Sequence, residues 1–407
     1  MVTPPSATPT PFELRTPERE LDDLKLRLAR TRWSSSSHPG WQHGTNSEWL
    51  RELLAHWQTG YDFRRHEAQL NDLPHFKVAL DSSQLHFVHQ RARAPRAVPL
   101  LLLHGWPDSF YRFHEVIPRL ATPTGAAREA SQAFDVVAPS LPGFGFSRPS
   151  PLPPGAQPTR HSAELLWRLM TQVLGYERFM VAGGDCGGMI AQVLAIDHPE
   201  AVIGVHLSDL GWHVLRDAEA RSPGKDERKY LEASQKYFRE NGAQALVQRS
   251  QPLSVAAGLN DSPAGLASWI ADSFHTGCDT SSGPLGKISP DQLLTNVMLY
   301  WLTQSIGSSM FGFYADLKSP SLTPYDRVER PVALALFPKD MGGVLPPRSF
   351  AERTLKIARW TELPRGGHFG ALEEPELFAR DLLDFARQIL RAPEKLEPEA
   401  SHATRTL

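Results

Sequence analysis

The sequence predicts an α/β protein: a mostly parallel central sheet with helices around it, a helical cap inserted late in the chain and a helical N-terminal extension. Three observations carry this reading. From Val98 onward, short apolar runs that read as strands alternate with helical patterns. Between about Gly211 and Pro324 the alternation gives way to helical segments joined by Gly-, Pro- and Ser-rich loops, and it resumes at Val332. Ahead of the sheet, Leu14, Leu21, Leu24 and Leu28 recur near helical spacing with charges between them.

The 407 residues, 41% of them hydrophobic, suffice to bury one large core with additions. The expected divisions are disordered ends over 1–11 and 393–407, an extension over 12–95, core over 96–210 and 326–392, and a cap over 211–325. Within the extension Ser47 is placed as the N-cap of a helix over Glu48–Gln58. Phe76–Leu80 and Leu85–Gln90 alternate about Asp81-Ser82-Ser83, the pattern of a hairpin. Core strands follow at Val98–Leu103, Phe134–Ala138, Phe179–Ala182, Val202–Leu207, Val332–Phe337 and Ile357–Glu362.

Composition narrows the function. A net charge of −2 without a basic stripe gives no footprint for nucleic acid. Two cysteines, Cys186 and Cys278, make no disulfide framework, and sixteen histidines show no metal-binding spacing. No metal and no cofactor is therefore expected. No stretch reaches the roughly 20 apolar residues of a membrane span, and Met1–Thr10 lacks the apolar core of a signal peptide. A cytoplasmic location is expected, and a homodimer is left open.

The most informative stretch is Gly183-Gly184-Asp185-Cys186-Gly187-Gly188, directly after the strand Phe179–Ala182 and before a helix over Met189–His198. Strand, sharp turn and helix with small residues around one reactive side chain make a nucleophile elbow of the α/β-hydrolase type, with a carboxylate in place of serine. The carboxylate decides the chemistry. A side chain with a reference pKa of about 3.9 is ionised at neutral pH and attacks without a base. At an ester carbonyl it would give an anhydride; at an sp3 carbon it gives an ordinary ester that water can clear. The elbow thus points to epoxides or alkyl halides.

In this fold an acid and a histidine follow the nucleophile on later loops at the same sheet edge. Phe337-Pro338-Lys339-Asp340 presents Asp340 after one strand, with Asp316 and Asp326 as alternatives. Gly366-Gly367-His368-Phe369 presents His368 after the next. His104-Gly105-Trp106-Pro107 follows Val98–Leu103, so the backbone N–H groups of Trp106 and Cys186 are the expected oxyanion hole.

Together these motifs resemble the microsomal-type epoxide hydrolases, over nearly the whole chain. The resemblance implies Asp185 as nucleophile, His368 as base and Asp340 as its orienting acid. It also exposes departures. The family's tryptophan after the nucleophile is Cys186 here. Of the two cap tyrosines that receive the epoxide oxygen, alignment on Gln251-Pro252 puts Gln244 at the first position, and alignment on Tyr300–Thr303 puts Phe313 at the second, with Tyr314 one place later.

The expectation is a small apolar epoxide opened by Asp185, with Tyr314 swung inward as proton donor and Gln244 assisting. Phe313 and Trp301 are expected at the substrate, with Trp212, Trp269, Phe274 and Phe311 as further pocket aromatics. Two alternatives stand beside it: a divergent hydrolase, dehalogenase-like or acting on secondary metabolites, and a non-catalytic ligand-binding relative.

Overall fold

The computed structural model describes residues 7–35, 39–94, 96–123, 132–149, 151–153, 155–215 and 222–391. Its nine strands form one sheet in the order β1-β2-β3-β5-β4-β6-β7-β8-β9. They are β1 Thr10–Phe12, β2 His75–Leu80, β3 Ser83–Gln90, β4 Val98–Leu103, β5 Phe134–Pro139, β6 Phe179–Gly183, β7 Val202–Leu207, β8 Val328–Leu336 and β9 Leu355–Glu362. β1 to β3 pair antiparallel and β3 joins β5 antiparallel, while every pairing from β5 through β9 is parallel.

The parallel part is covered on both faces, which is why β4 is an uninterrupted apolar run, Val98-Pro99-Leu100-Leu101-Leu102-Leu103. Leu101 and Leu103 pack on the side of the helix Asp185–Asp197, in a cluster that continues into the cap. Leu100 and Leu102 point the other way, into a cluster with Phe378, Leu382 and Phe385 of the helix Pro375–Arg391.

The extension has two differences from expectation. Asn46, not Ser47, caps the helix Ser47–Thr59: its Oδ1 accepts the N–H groups of Glu48 and Trp49 at 2.9 and 3.2 Å. β1 falls partly within the segment expected to be disordered, because a three-residue strand is too short to show a period. The remainder of that call, over 1–6, and the 393–407 tail lie outside the described residues.

Six helices, from Lys225–Asn241 to Ile306–Lys318, form the cap between β7 and β8. The extension ties it down. Arg27 donates to the Asp261 carboxylate and carbonyl, each at 2.7 Å, Thr45 donates to the Ser268 carbonyl at 2.7 Å, and Tyr61 bonds Thr295 at 3.0 Å. Residues far from the sheet edge thereby fix the roof of the cavity above it. No helix among the described residues is long and apolar enough to cross a membrane.

Candidate active site

β6 ends at Gly183, and Asp185 takes φ of +53° as the first residue of the helix Asp185–Asp197. That is left-handed backbone for a residue with a Cβ, a strained conformation that the surroundings must hold. Gly187 shows how close those surroundings are: a Cβ there would lie 2.3 Å from the Leu103 carbonyl oxygen. The Asp185 N–H is held by a second carboxylate, donating to Asp209 Oδ2 at 2.7 Å. The Asp185 side chain is oriented by the loop after β4, where the Trp106 N–H donates to its Oδ1 at 2.9 Å.

The two later loops arrive at this point. Asp340 follows β8, and its Oδ1 accepts the Nδ1–H of His368 at 2.9 Å. This fixes the tautomer and aims Nε2 at the elbow, where it stands 3.8 Å from Asp185 Oδ2. The His368 N–H donates to the Gly277 carbonyl of the cap at 2.7 Å, so cap and core share the histidine loop. Asp316 instead accepts from Thr159 and Ser321, and Asp326 from Thr323, which leaves Asp340 as the partner of the histidine.

Electrostatics follow from this crowding. Burial alone would push His368 down, but the facing carboxylates of Asp340, Asp185 and Asp209 outweigh it and raise its pKa to about 10. Asp209 moves to about 6, chiefly through burial, against its hydrogen bond from the Asp185 amide. Burial also pushes the Cys186 thiol well up, with Asp185 adding to it, so the thiol is protonated and inert.

Between these groups and the cap lies a cavity of about 200 Å³, reached by Asp185, His368, Asp340, Asp209 and Trp106 from below. Phe313 lines it, its ring 5.5 Å from that of Trp212 and 6.3 Å from that of Trp106. Tyr314 does not line it. The helix Ile306–Lys318 runs through without a bulge, so the turn of roughly 100° per residue that brings Phe313 in carries Tyr314 away, onto Phe311 and Lys318. Gln244 does line the cavity, yet its amide is spent: Nε2 donates to the Trp269 carbonyl and the Asp272 carboxylate, and Oε1 accepts from Ser273. Trp301 is also misplaced by the expectation, since it lies under Arg27 of the extension. Trp212 is at the wall, whereas Phe274 is buried against Phe369 and Phe311 is 42% exposed.

Sequence reasoning missed three residues of the site. Asp209 follows β7 at the sheet edge, the position that could have flagged it. Tyr230 and Tyr237 of the cap helix Lys225–Asn241 both line the cavity and sit on one face, two turns apart, at i and i+7. The Cys186 side chain lines a separate space of about 70 Å³ with Met189 and Ile190, divided from the main cavity by Trp212 and Phe313. Among the described residues no cluster of His, Cys, Asp or Glu is arranged to hold a metal ion.

An aspartate on the elbow, a histidine beside it and an acid behind the histidine, at one edge of a mostly parallel sheet, define a hydrolase of the α/β-hydrolase fold. Comparison with known proteins sharpens this. Residues 9–113 match the model of the epoxide hydrolase N terminus, and residues 98–256 match that of the alpha/beta hydrolase fold. The chain is 32% identical to epoxide hydrolase 1 of Oryctolagus cuniculus, over 94% of this chain and 89% of that one. It superposes on the crystal structure of juvenile hormone epoxide hydrolase from Bombyx mori with a TM-score of 0.84 at 29% identity, covering 94% and 95% of the two chains. The Aspergillus niger epoxide hydrolase gives a TM-score of 0.78 at 28% identity, covering 95% and 98%. This chain belongs to the epoxide hydrolase family.

Proposed function

We propose that this enzyme opens a small, largely apolar epoxide to a vicinal diol in two steps. Asp185 attacks one ring carbon as its C–O bond breaks, which leaves an ester on Asp185 and the oxygen on the neighbouring carbon. A water molecule then gives a proton to His368 Nε2 and attacks the ester carbonyl. The Trp106 and Cys186 N–H groups take up the charge on the tetrahedral intermediate, a contribution of the kind that costs about 10²–10³ in rate when one donor is removed. Collapse of that intermediate frees the diol and restores the Asp185 carboxylate. The alkylation also frees the base: esterification removes the Asp185 charge that helps to hold His368 protonated.

The observation that carries this reading is the carboxylate on the elbow with His368 Nε2 3.8 Å from Asp185 Oδ2 and Asp340 behind it. Carboxylate attack at carbon predicts isotope in the enzyme. Turnover in 18O-water should leave label in the Asp185 carboxylate, detected in its peptide by mass spectrometry. Label delivered only to the diol, with Asp185→Asn still active, would show direct attack by water.

A further inference from the structure

Ring opening leaves an alkoxide, which needs a proton donor across the cavity from the nucleophile, because the breaking C–O bond points away from the attacking oxygen. The arrangement of the cap eliminates most donors. Phe313 has no hydroxyl, Tyr314 faces elsewhere, and both Gln244 N–H groups are engaged. Asp272 Oδ2 is taken up in accepting from that amide. Tyr230 is 7% exposed and packed against Phe350.

Resting on the epoxide-opening reading above, we propose that Tyr237 is the general acid of the alkylation step, delivering its phenolic proton to the departing epoxide oxygen. Its hydroxyl meets Thr276, donating to that residue's carbonyl at a long 3.4 Å, a contact easily exchanged for a bond to a ligand. Thr276 precedes Gly277, whose carbonyl takes the His368 N–H, so the phenol bonds the same cap-helix end that holds the histidine loop. The loop that carries Asp340 is shaped to admit the ring: Gly342, at φ of +69°, would bring a Cβ to 3.2 Å from Tyr237 Cδ2. An added Cβ there would press on the ring.

Burial first and the Asp340 charge second raise the Tyr237 pKa to about 12. The phenol therefore keeps its proton in the resting enzyme, yet is well below bulk water at about 15.7 and is a competent donor to an alkoxide. The proton inventory then closes. Asp185 gains the carbon, the epoxide oxygen gains the Tyr237 proton, and tyrosinate results. The His368 imidazolium, the stronger acid of the two, returns a proton to the tyrosinate and becomes the neutral base that the second step requires. Water deprotonation recharges it.

The test follows enzyme-ester formation in single turnovers by rapid quench and intact-protein mass spectrometry, with 1,2-epoxybutane and with 3,3,3-trifluoro-1,2-epoxypropane. Tyr237→Phe should slow alkylation by the butane epoxide about 10²–10⁴-fold. The loss with the trifluoro compound should be distinctly smaller, because its alkoxide is less basic. A merely structural role would slow both equally. Equal losses, or a Tyr237→Phe rate within about threefold of wild type on a substrate that wild type turns over, overturn the assignment alone. A wild-type enzyme that turns epoxides over with no ester ever forming overturns the underlying covalent reading, and this assignment with it.

Discussion

Asp209 Oδ2 accepts the backbone N–H of Asp185 at 2.7 Å, so the elbow aspartate in its strained left-handed turn is pinned by a second buried carboxylate. The same residue takes the Gly211 N–H on Oδ1 at 2.8 Å, tying the end of β7 to the elbow. Asp209→Ala leaves the Asp185 amide without its acceptor, a loss of about 1–3 kcal/mol for a buried donor. Thermal melts should register that loss together with a fall in alkylation rate. Unchanged stability and rate would show that the turn holds itself.

The raised pKa of Asp209 fixes the sign of a pH effect. The folded state binds its proton up to about pH 6, whereas an unfolded aspartate releases it near 3.9. Wild type therefore loses stability relative to Asp209→Asn as pH rises from about 4 to about 6, with no further change above that window. Melting both proteins across pH 4–8 measures the difference. A gap independent of pH would mean that Asp209 titrates normally.

Phe313 lines the cavity as expected, whereas Tyr314, expected to swing inward, faces away from it, and the two provide a paired test. Tyr314→Phe should change turnover less than about threefold, since its ring packs on Phe311 and Lys318, away from the cavity. Phe313→Tyr places a hydroxyl at the cavity wall. In a Tyr237→Phe background it should recover at least about tenfold of the lost alkylation rate, part of the 10²–10⁴ that a general acid supplies. A large loss in Tyr314→Phe would restore the inward reading.

Cys186 acts in the proposed mechanism through its backbone, and its half-buried thiol is held protonated. Cys186→Ala should keep turnover within about tenfold, and iodoacetamide should leave the enzyme active at neutral pH, since a thiol in its protonated form is a poor nucleophile. Inactivation that tracks modification of Cys186 would contradict both points.

The core of the site was legible because its signals are local. The elbow glycines, the loop after each strand and the order of nucleophile, acid and histidine all lie in short stretches, and the strands β4 and β7 begin and end where apolar runs do. The cap was not legible. Which of Phe313 and Tyr314 faces inward turns on a single residue of helical phase, and only the unbroken helix Ile306–Lys318 decides it. Gln244 was recognised as lining the site, but the loss of its donors depends on Asp272 and Ser273, a helix and a half away in sequence. Tyr230 and Tyr237 carried no motif at all; they sit in a charged, amphipathic helix whose inward face reads as ordinary packing.

The proposed ester on Asp185, cleared with the help of His368, is isolated by one variant. His368→Gln keeps the nucleophile and removes the base, so alkylation proceeds and hydrolysis stops. Intact-protein mass spectrometry after mixing with an epoxide that wild type turns over should show the variant heavier by one substrate, with the added mass on the Asp185 peptide. His368→Gln protein of unmodified mass under those conditions, or an adduct on any other residue, would contradict the account.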